Sequence, residues 1–185
     1  ILDRQQSNGL LDKHDSGHGP MYAHNIATLF LSEVSGMVDP ERQDRLDDVL
    51  AKATKLLLQS QGVPTKDWER RKGGIHKSAR DVGGWRYKPD SRDSDLSCSG
   101  WALMALRSAK LNGAPIPDEN IELAVKYVLS KHDKRMGRFG YTDTSGHAES
   151  LTGCGLLCLE LCGFHGHEST YKAVEYILNN HKRLT

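Results

Sequence analysis

The stretch Gly83-Gly84-Trp85-Arg86-Tyr87, running on through Asp95-Leu96-Ser97 to Gly100-Trp101-Ala102-Leu103-Met104-Ala105-Leu106, decides the fold. A Gly-x-aromatic turn leads, after a polar stretch, into a helix of small and apolar residues that ends near Gly113. The same order occurs twice more. Gly9-Leu10-Leu11 leads to Ala27-Thr28-Leu29-Phe30-Leu31 with Gly36 beyond, and Gly137-Arg138-Phe139 leads to Gly155-Leu156-Leu157-Cys158-Leu159 with Gly163 beyond. Aligning Leu31, Leu106 and Leu159 gives offsets of 75 and 53 residues, and an insert after Ser60 accounts for the longer one. Repetition at such a period means stacked supersecondary units, none able to bury its apolar face alone.

Each unit reads as two helices. The first helices span roughly 20–36, 97–112 and 150–163; rich in Ala, Gly, Ser and Leu, they are apolar on most sides, as helices lodged between neighbours are. The second span roughly 40–60, 118–131 and 168–181 and are amphipathic. Leu46, Val49, Leu50, Ala53, Leu56 and Leu57 recur at helical spacing in the first of these. Ile121, Ala124, Val125, Val128 and Leu129 do so in the next, and Tyr171, Val174, Ile177 and Leu178 in the last. Asp39-Pro40-Glu41 places a cap residue, a proline and an acid at a first turn, and Pro117-Asp118-Glu119 is similar. Trp85-Arg86-Tyr87 and Phe139-Gly140-Tyr141 are too short for more than strand stubs or turns. The expected class is all-α, built from about three helix pairs.

A chain of 185 residues with a formal net charge of +1 can bury one sizeable core. It presents no global field to draw in nucleic acid. No apolar run approaches the roughly 20 residues a membrane span needs. The chain opens at Ile1 with no signal-peptide pattern, and residues 2–6 resemble the tail of a helix. Residues 1–185 are therefore expected to form a single domain that is a piece of something longer, its compartment unassigned. The insert at 62–82 holds Lys66, Arg70, Arg71, Lys72, Lys77 and Arg80 against Asp67, Glu69 and Asp81, and reads as a solvated loop or a basic binding loop.

Cys154, Cys158 and Cys162 recur every four residues on one helical face, opposite Trp101, Ala105 and Ala109 in the repeat alignment. These are core slots, where a free thiol serves as a small hydrophobe. A zinc set drawn from Cys158, Cys162, His165 and His167 matches no standard structural spacing, so no metal and no cofactor is expected.

Gln5-x3-Gly9-x-Leu11 resembles the Q-x3-G-x-W repeat of squalene and oxidosqualene cyclases, with leucine where tryptophan is usual. Gly83-x-Trp85 and Gly137-x-Phe139 repeat its second half, without a glutamine at the matching spacing. The stretch from Gly83 to Leu106, and Met21-Tyr22-Ala23-His24-Asn25-Ile26-Ala27-Thr28-Leu29, are similar to prenyltransferase/squalene-cyclase repeats found in many bacterial proteins. The resemblance covers essentially the whole chain. It implies an α/α toroid, in which inner helices ring a cavity and outer helices surround them. Three pairs would make a partial or half ring, completed by an absent segment, by a partner chain or in a homodimer. Members of the family do unrelated chemistry, so function has to come from the site.

Cyclases of this class protonate an alkene from a D-x-D-D-T motif. Asp93-Ser94-Asp95-Leu96-Ser97 offers D-x-D-L-S, which puts Asp95, supported by Asp93, at the acid position. Asp95 also directly precedes a helix, where a carboxylate anion caps the backbone. A protein prenyltransferase would need zinc ligands, for which Asp95, Cys98 and His147 are wrongly spaced, and the G-C-G-E-Q of thioester proteins is absent. A sugar-processing pair could join Asp95 to Asp143 or Glu149. His24 could face the cavity, and Trp85, Tyr87, Trp101 and Tyr141 could line an aromatic pocket for a cation, or pack between repeats. Two functions are expected on these grounds. One is a binding module whose concave apolar face takes an apolar or isoprenoid ligand or a protein segment. The alternative is a terpene-cyclase-like enzyme with Asp95 as acid.

Overall fold

The computed structural model describes residues 1–12, 19–64, 74–146 and 149–180. Among them run six helices: α1 (Met21–Glu33), α2 (Pro40–Ser60), α3 (Leu96–Leu111), α4 (Asp118–Ser130), α5 (Glu149–Leu161) and α6 (Glu168–Asn180). Each lies within three residues of its expected bounds, and the protein is mostly helical. Asp39 caps α2 by accepting the Arg42 N–H, with Pro40 in the first turn. A 3-10 turn at Leu2–Arg4 and two stub pairs complete the regular structure among the described residues. Strands β1 (Gly62–Val63) and β2 (Ile75–His76) run parallel, while β3 (His132–Asp133) and β4 (Arg138–Phe139) run antiparallel. The Phe139 stub was expected and the parallel pair was not, because both of its partners lie within the insert at 62–82, which was expected to form a loop. Among the described residues no helix is long and apolar enough to cross a membrane.

The repeated sequence returns as a repeated set of bonds. Gly9, Gly83 and Gly137 all hold positive φ, at 93°, 91° and 73°. A Cβ at any of them would run into a backbone carbonyl of an amphipathic helix further along the chain: Lys52 in α2, Leu123 in α4 and Lys172 in α6. Only glycine combines that φ with that approach. Two residues on, Leu11, Trp85 and Phe139 bury their side chains. Their N–H groups donate to His24 Nδ1 (3.1 Å), Ser99 Oγ (2.8 Å) and Thr152 Oγ1 (3.1 Å). Those three acceptors are related by the same offsets, 75 and 53, that align the leucines.

A glutamine secures two of the turns. Gln5 Nε2 donates to the carbonyls of Gly9 (3.0 Å) and Val49 (2.8 Å). Gln61 Nε2 donates to those of Gly83 (3.1 Å) and Asn120 (2.9 Å), and Gln61 Oε1 accepts from Asn120 Nδ2 at 2.6 Å. Val49 and Asn120 each lie one turn before the residue that meets the glycine. The second repeat therefore does have its glutamine, contrary to the expectation from spacing; the insert displaces it to 22 residues before Gly83. In the third turn His132 Nδ1 meets Ser169 Oγ at 3.0 Å.

Helix α3 is the centre of the packing, with eleven of its sixteen residues buried. Helices α1 and α5 flank it and α2 and α4 pack against it. Trp85, Leu103, Leu106, Val128, Phe139 and Leu159 lie in the main core, and Leu31, Leu46, Leu50 and Ala53 in a second group between α1 and α2. Each such side chain contributes about 1.5–3 kcal/mol on burial.

Three departures from expectation have physical causes. Helix α6 buries only Ser169, Thr170 and Ala173. Its apolar stripe faces out instead, with Tyr171 66% and Leu178 64% exposed, because no described element follows to cover it. Cys154, set against Gly100 of α3, and Cys162, beside a groove on α4, are half-buried rather than buried, while Cys158 is fully buried as expected; all four cysteines are free thiols. Lys77, expected in a solvated loop, is buried. Its Nζ donates to the carbonyls of Gly84 (3.2 Å) and Asp93 (2.8 Å) and to Ser94 Oγ (3.1 Å). The remaining insert residues Lys66, Asp67, Glu69, Arg70, Arg71 and Lys72 lie outside the described residues, as does His147.

Candidate functional site

Two arrangements gather the residues that the sequence singles out. The first surrounds the start of α3. Asp95 is fully buried, and its Oδ1 accepts the Cys98 N–H at 2.8 Å, an N-cap. Its Oδ2 meets Arg86 Nη1 at 3.3 Å, and Arg86 Nε lies 3.4 Å from Asp93 Oδ2. Burial pushes the Asp95 carboxyl above its ordinary range, against the pull of the Cys98 N–H and the Arg86 charge. Burial also works against the Arg86 charge, but Asp95 and Asp93 beside it raise its pKa on balance.

The guanidinium of Arg86 lies over the Tyr87 ring at 4.4 Å and 5.5 Å from the Tyr141 centroid. The hydroxyls of Tyr87 and Tyr141 bond to each other. Tyr22 stacks at 5.7 Å from Tyr87, and its hydroxyl donates to Ser97 Oγ at 2.9 Å. Burial pushes Tyr22 up to about 12 and raises Tyr141 as well. Sequence reasoning named Tyr87, Tyr141, Asp93 and Asp95 and missed Tyr22 and Arg86. Arg86 was legible as the one cation inside an otherwise aromatic Trp-x-Tyr turn. Chemically the cluster is a filled cage: the aromatic faces already hold a cation, and the carboxylate that would give up a proton is bonded to a guanidinium and a helix N-terminus. A loop network braces it from behind, where Asp81 accepts the Ser94 N–H at 3.0 Å and the Lys77 amine is pulled down to about 8 by burial.

Trp85 and His24 do not join this cluster. Trp85 is fully buried, with Nε1 donating to the Leu57 carbonyl at 2.8 Å. His24 is fully buried too; burial lowers it to about 4, partly opposed by the Ala53 carbonyl. Both are out of reach of a ligand. Asp143 and Glu149 are exposed, and Asp143 Oδ1 accepts the Ser145 N–H at 2.7 Å. His165 pairs with Glu160, and His167 Nδ1 accepts the Ser169 N–H at 3.1 Å. Among the described residues no group of three His, Cys, Asp or Glu side chains is placed to hold a metal ion.

The second arrangement is apolar. Trp101 emerges from α3 on the stripe that leaves Ser97 and Arg107 half-buried and Leu111 exposed, where Ser97 is met by Tyr22 of α1 and Arg107 donates to the Leu161 carbonyl of α5 at 2.9 Å. The repeat offsets put Ile26 and Cys154 at the positions of Trp101, and Leu29 and Leu157 at those of Met104. Ile26 is 44% and Leu157 46% exposed, and Leu29, Trp101 and Cys154 are half-buried. Met104 is buried, so the equivalent positions bring apolar side chains to the surface in one tier at Ile26, Trp101 and Cys154 and in a second at Leu29 and Leu157 alone. Only Trp101 of these was anticipated as a binding residue. The others carry no sequence signal beyond occupying its repeat position.

Comparison with protein families, with curated proteins and with solved structures found no match.

Proposed function

We propose that this chain is a binding module of the prenyltransferase/squalene-cyclase type. In it α1, α3 and α5 form the inner wall of an α/α toroid segment, and α2, α4 and α6 form the outer wall. The tiers Ile26–Trp101–Cys154 and Leu29–Met104–Leu157 take an apolar ligand of isoprenoid character. The observation that carries this is an apolar row at repeat-equivalent positions of α1, α3 and α5, exposed at Ile26 and Leu157, half-buried at Leu29, Trp101 and Cys154, and closed by the buried Met104. The threefold turn chemistry at Gly9, Gly83 and Gly137 supports the repeat reading.

The bonding of Asp95 favours binding over cyclisation. An acid that protonates an alkene must hold its proton at working pH. Burial raises the Asp95 pKa on balance, but both of its oxygens are already engaged, one 3.3 Å from a guanidinium and the other capping a helix, which leaves neither free to pass a proton to a ligand.

Titration with a C15 isoprenoid alcohol, followed by Trp101 emission, tests the proposal. Because Trp68 and Trp85 also emit, the Trp101→Phe variant supplies the background. Saturable change that is lost in Ile26→Glu and in Leu157→Glu, both folded, is expected. Saturation that survives both substitutions sinks the proposed face. Cyclic products that vanish in Asp95→Asn would reinstate the enzyme.

A further inference from the structure

We infer that the cleft between the β3–β4 turn and α6 binds the phosphate group of a small phosphorylated molecule, at a site separate from the apolar face.

The cleft encloses about 480 Å³, a size suited to a small ligand. Lys134, Arg135 and Arg138 enter from the turn, and Lys172, Glu175 and Tyr176 from α6, with Asn179 and Asn180 at the helix end. Four cationic side chains therefore face one carboxylate. Two terms reduce that excess: Lys172 is paired with Glu168 at 2.7 Å, and the C-terminal end of a helix carries about half a negative charge. Lys134, Arg135 and Arg138 still outweigh Glu175 after both are counted.

The turn that presents these cations is built rather than loose. Asp133 Oδ1 accepts the N–H groups of Arg135 (3.0 Å) and Met136 (3.1 Å), and the Gly137 N–H closes on the Asp133 carbonyl at 2.8 Å. This ties up the Asp133 carboxylate beneath the turn. Gly137 seats the turn against the Lys172 carbonyl, and Lys172 Nζ donates back to the Lys134 carbonyl at 3.1 Å.

Arg138 lines the cleft, and its Nε–H is buried with no hydrogen-bond partner. A buried donor left unmade is costly, and the cost is greater for a charged group. That nitrogen is shut off from the cleft, so a phosphate would meet the terminal N–H groups of the half-buried Arg138 side chain, whose planar fork suits its oxygens.

Inorganic pyrophosphate is the probe, titrated calorimetrically into the 185-residue chain at low ionic strength. Saturable one-to-one binding is expected. Arg138→Gln and, separately, Arg135→Gln should each weaken it roughly tenfold or more. Lys55→Gln on the exposed side of α2, distant in the fold, should leave it unchanged. Circular dichroism checks the fold; if Arg138→Gln unfolds, the exposed Arg135 decides the matter alone. Absence of saturable binding overturns the site. So does binding that ignores both arginine changes, and so does equal weakening by Lys55→Gln, which would mark a diffuse charge effect.

Discussion

Replacing Asp95 by asparagine and by alanine separates its capping role from its charge. In Asp95→Ala the Cys98 N–H loses its acceptor inside the protein, where no water replaces it. An exposed cap contributes about 0.5–2 kcal/mol, and a buried donor left unmade costs about 1–3 kcal/mol. Arg86 loses one partner but keeps Asp93 and is 20% exposed, which adds about 1 kcal/mol or less. The alanine variant should therefore lose about 2–4 kcal/mol. In Asp95→Asn the amide oxygen still accepts the Cys98 N–H. The lost ion pair is offset because a charge no longer has to be buried. Since burial raises the Asp95 pKa in the fold, that group favours folding below its ordinary value of 3.8. The contribution is lost as pH rises through the folded value. Asparagine, neutral throughout, avoids that loss and should stay within about 1 kcal/mol of the parent. For a chain of this length each kcal/mol moves Tm by about 2–4 °C. Thermal unfolding by circular dichroism at neutral pH should place the alanine variant roughly 5–15 °C below the parent and the asparagine variant within about 4 °C. Equal losses in the two would refute the cap as the dominant role and assign it to the Arg86 pair.

Gly83→Ala should cost about 3 kcal/mol or more, since positive φ combines with a collision against the Leu123 carbonyl; Gly36→Ala, at φ 81° with open space around it, should cost about 1 kcal/mol in the same chemical denaturation assay. Gln61→Ala should lose about 3–5 kcal/mol, because three buried hydrogen bonds go with a full side chain, whereas the half-buried Gln5→Ala should lose about half as much; matched losses would deny that the insert leaves the second turn more enclosed. His24 is held near 4 against an unfolded value of 6.5. Its contribution, about 3 kcal/mol at most, is complete above pH 6.5 and fades as pH falls towards 4. Denaturation midpoints across that range should slope for the parent and flatten in His24→Gln.

The helices were legible because two kinds of periodicity coincide. Ala102 to Leu106 is apolar all round, as befits α3, the most enclosed helix, while Leu46 to Leu57 marks one face of α2. The turns were legible through Gly83-x-Trp85, where the residue types announce the backbone they need. What escaped was whatever depends on a partner distant in sequence. Gln61 repeats the role of Gln5, yet the insert removes the spacing that would reveal it. Arg86 reads as a surface cation until Tyr87 and Tyr141 are seen on either side of it. The stripe of Tyr171, Val174 and Leu178 predicts burial, and only the absence of a covering element among the described residues turns it outward. Trp85 and Trp101 look alike in sequence, but their surroundings differ: one donates to Leu57 deep in the core and the other lies on the open side of α3.

Methyl-resolved NMR during titration with a C15 isoprenoid alcohol tests the binding face most directly. The proposal predicts saturable shifts at the methyl groups of Ile26, Leu29, Met104 and Leu157, with Leu46 and Val128 unmoved in the core. Shifts confined to Ile121, Leu129 and Val125, which line a groove between α4 and the Cys162–Phe164 segment, or no saturable shift at any methyl group, would contradict it.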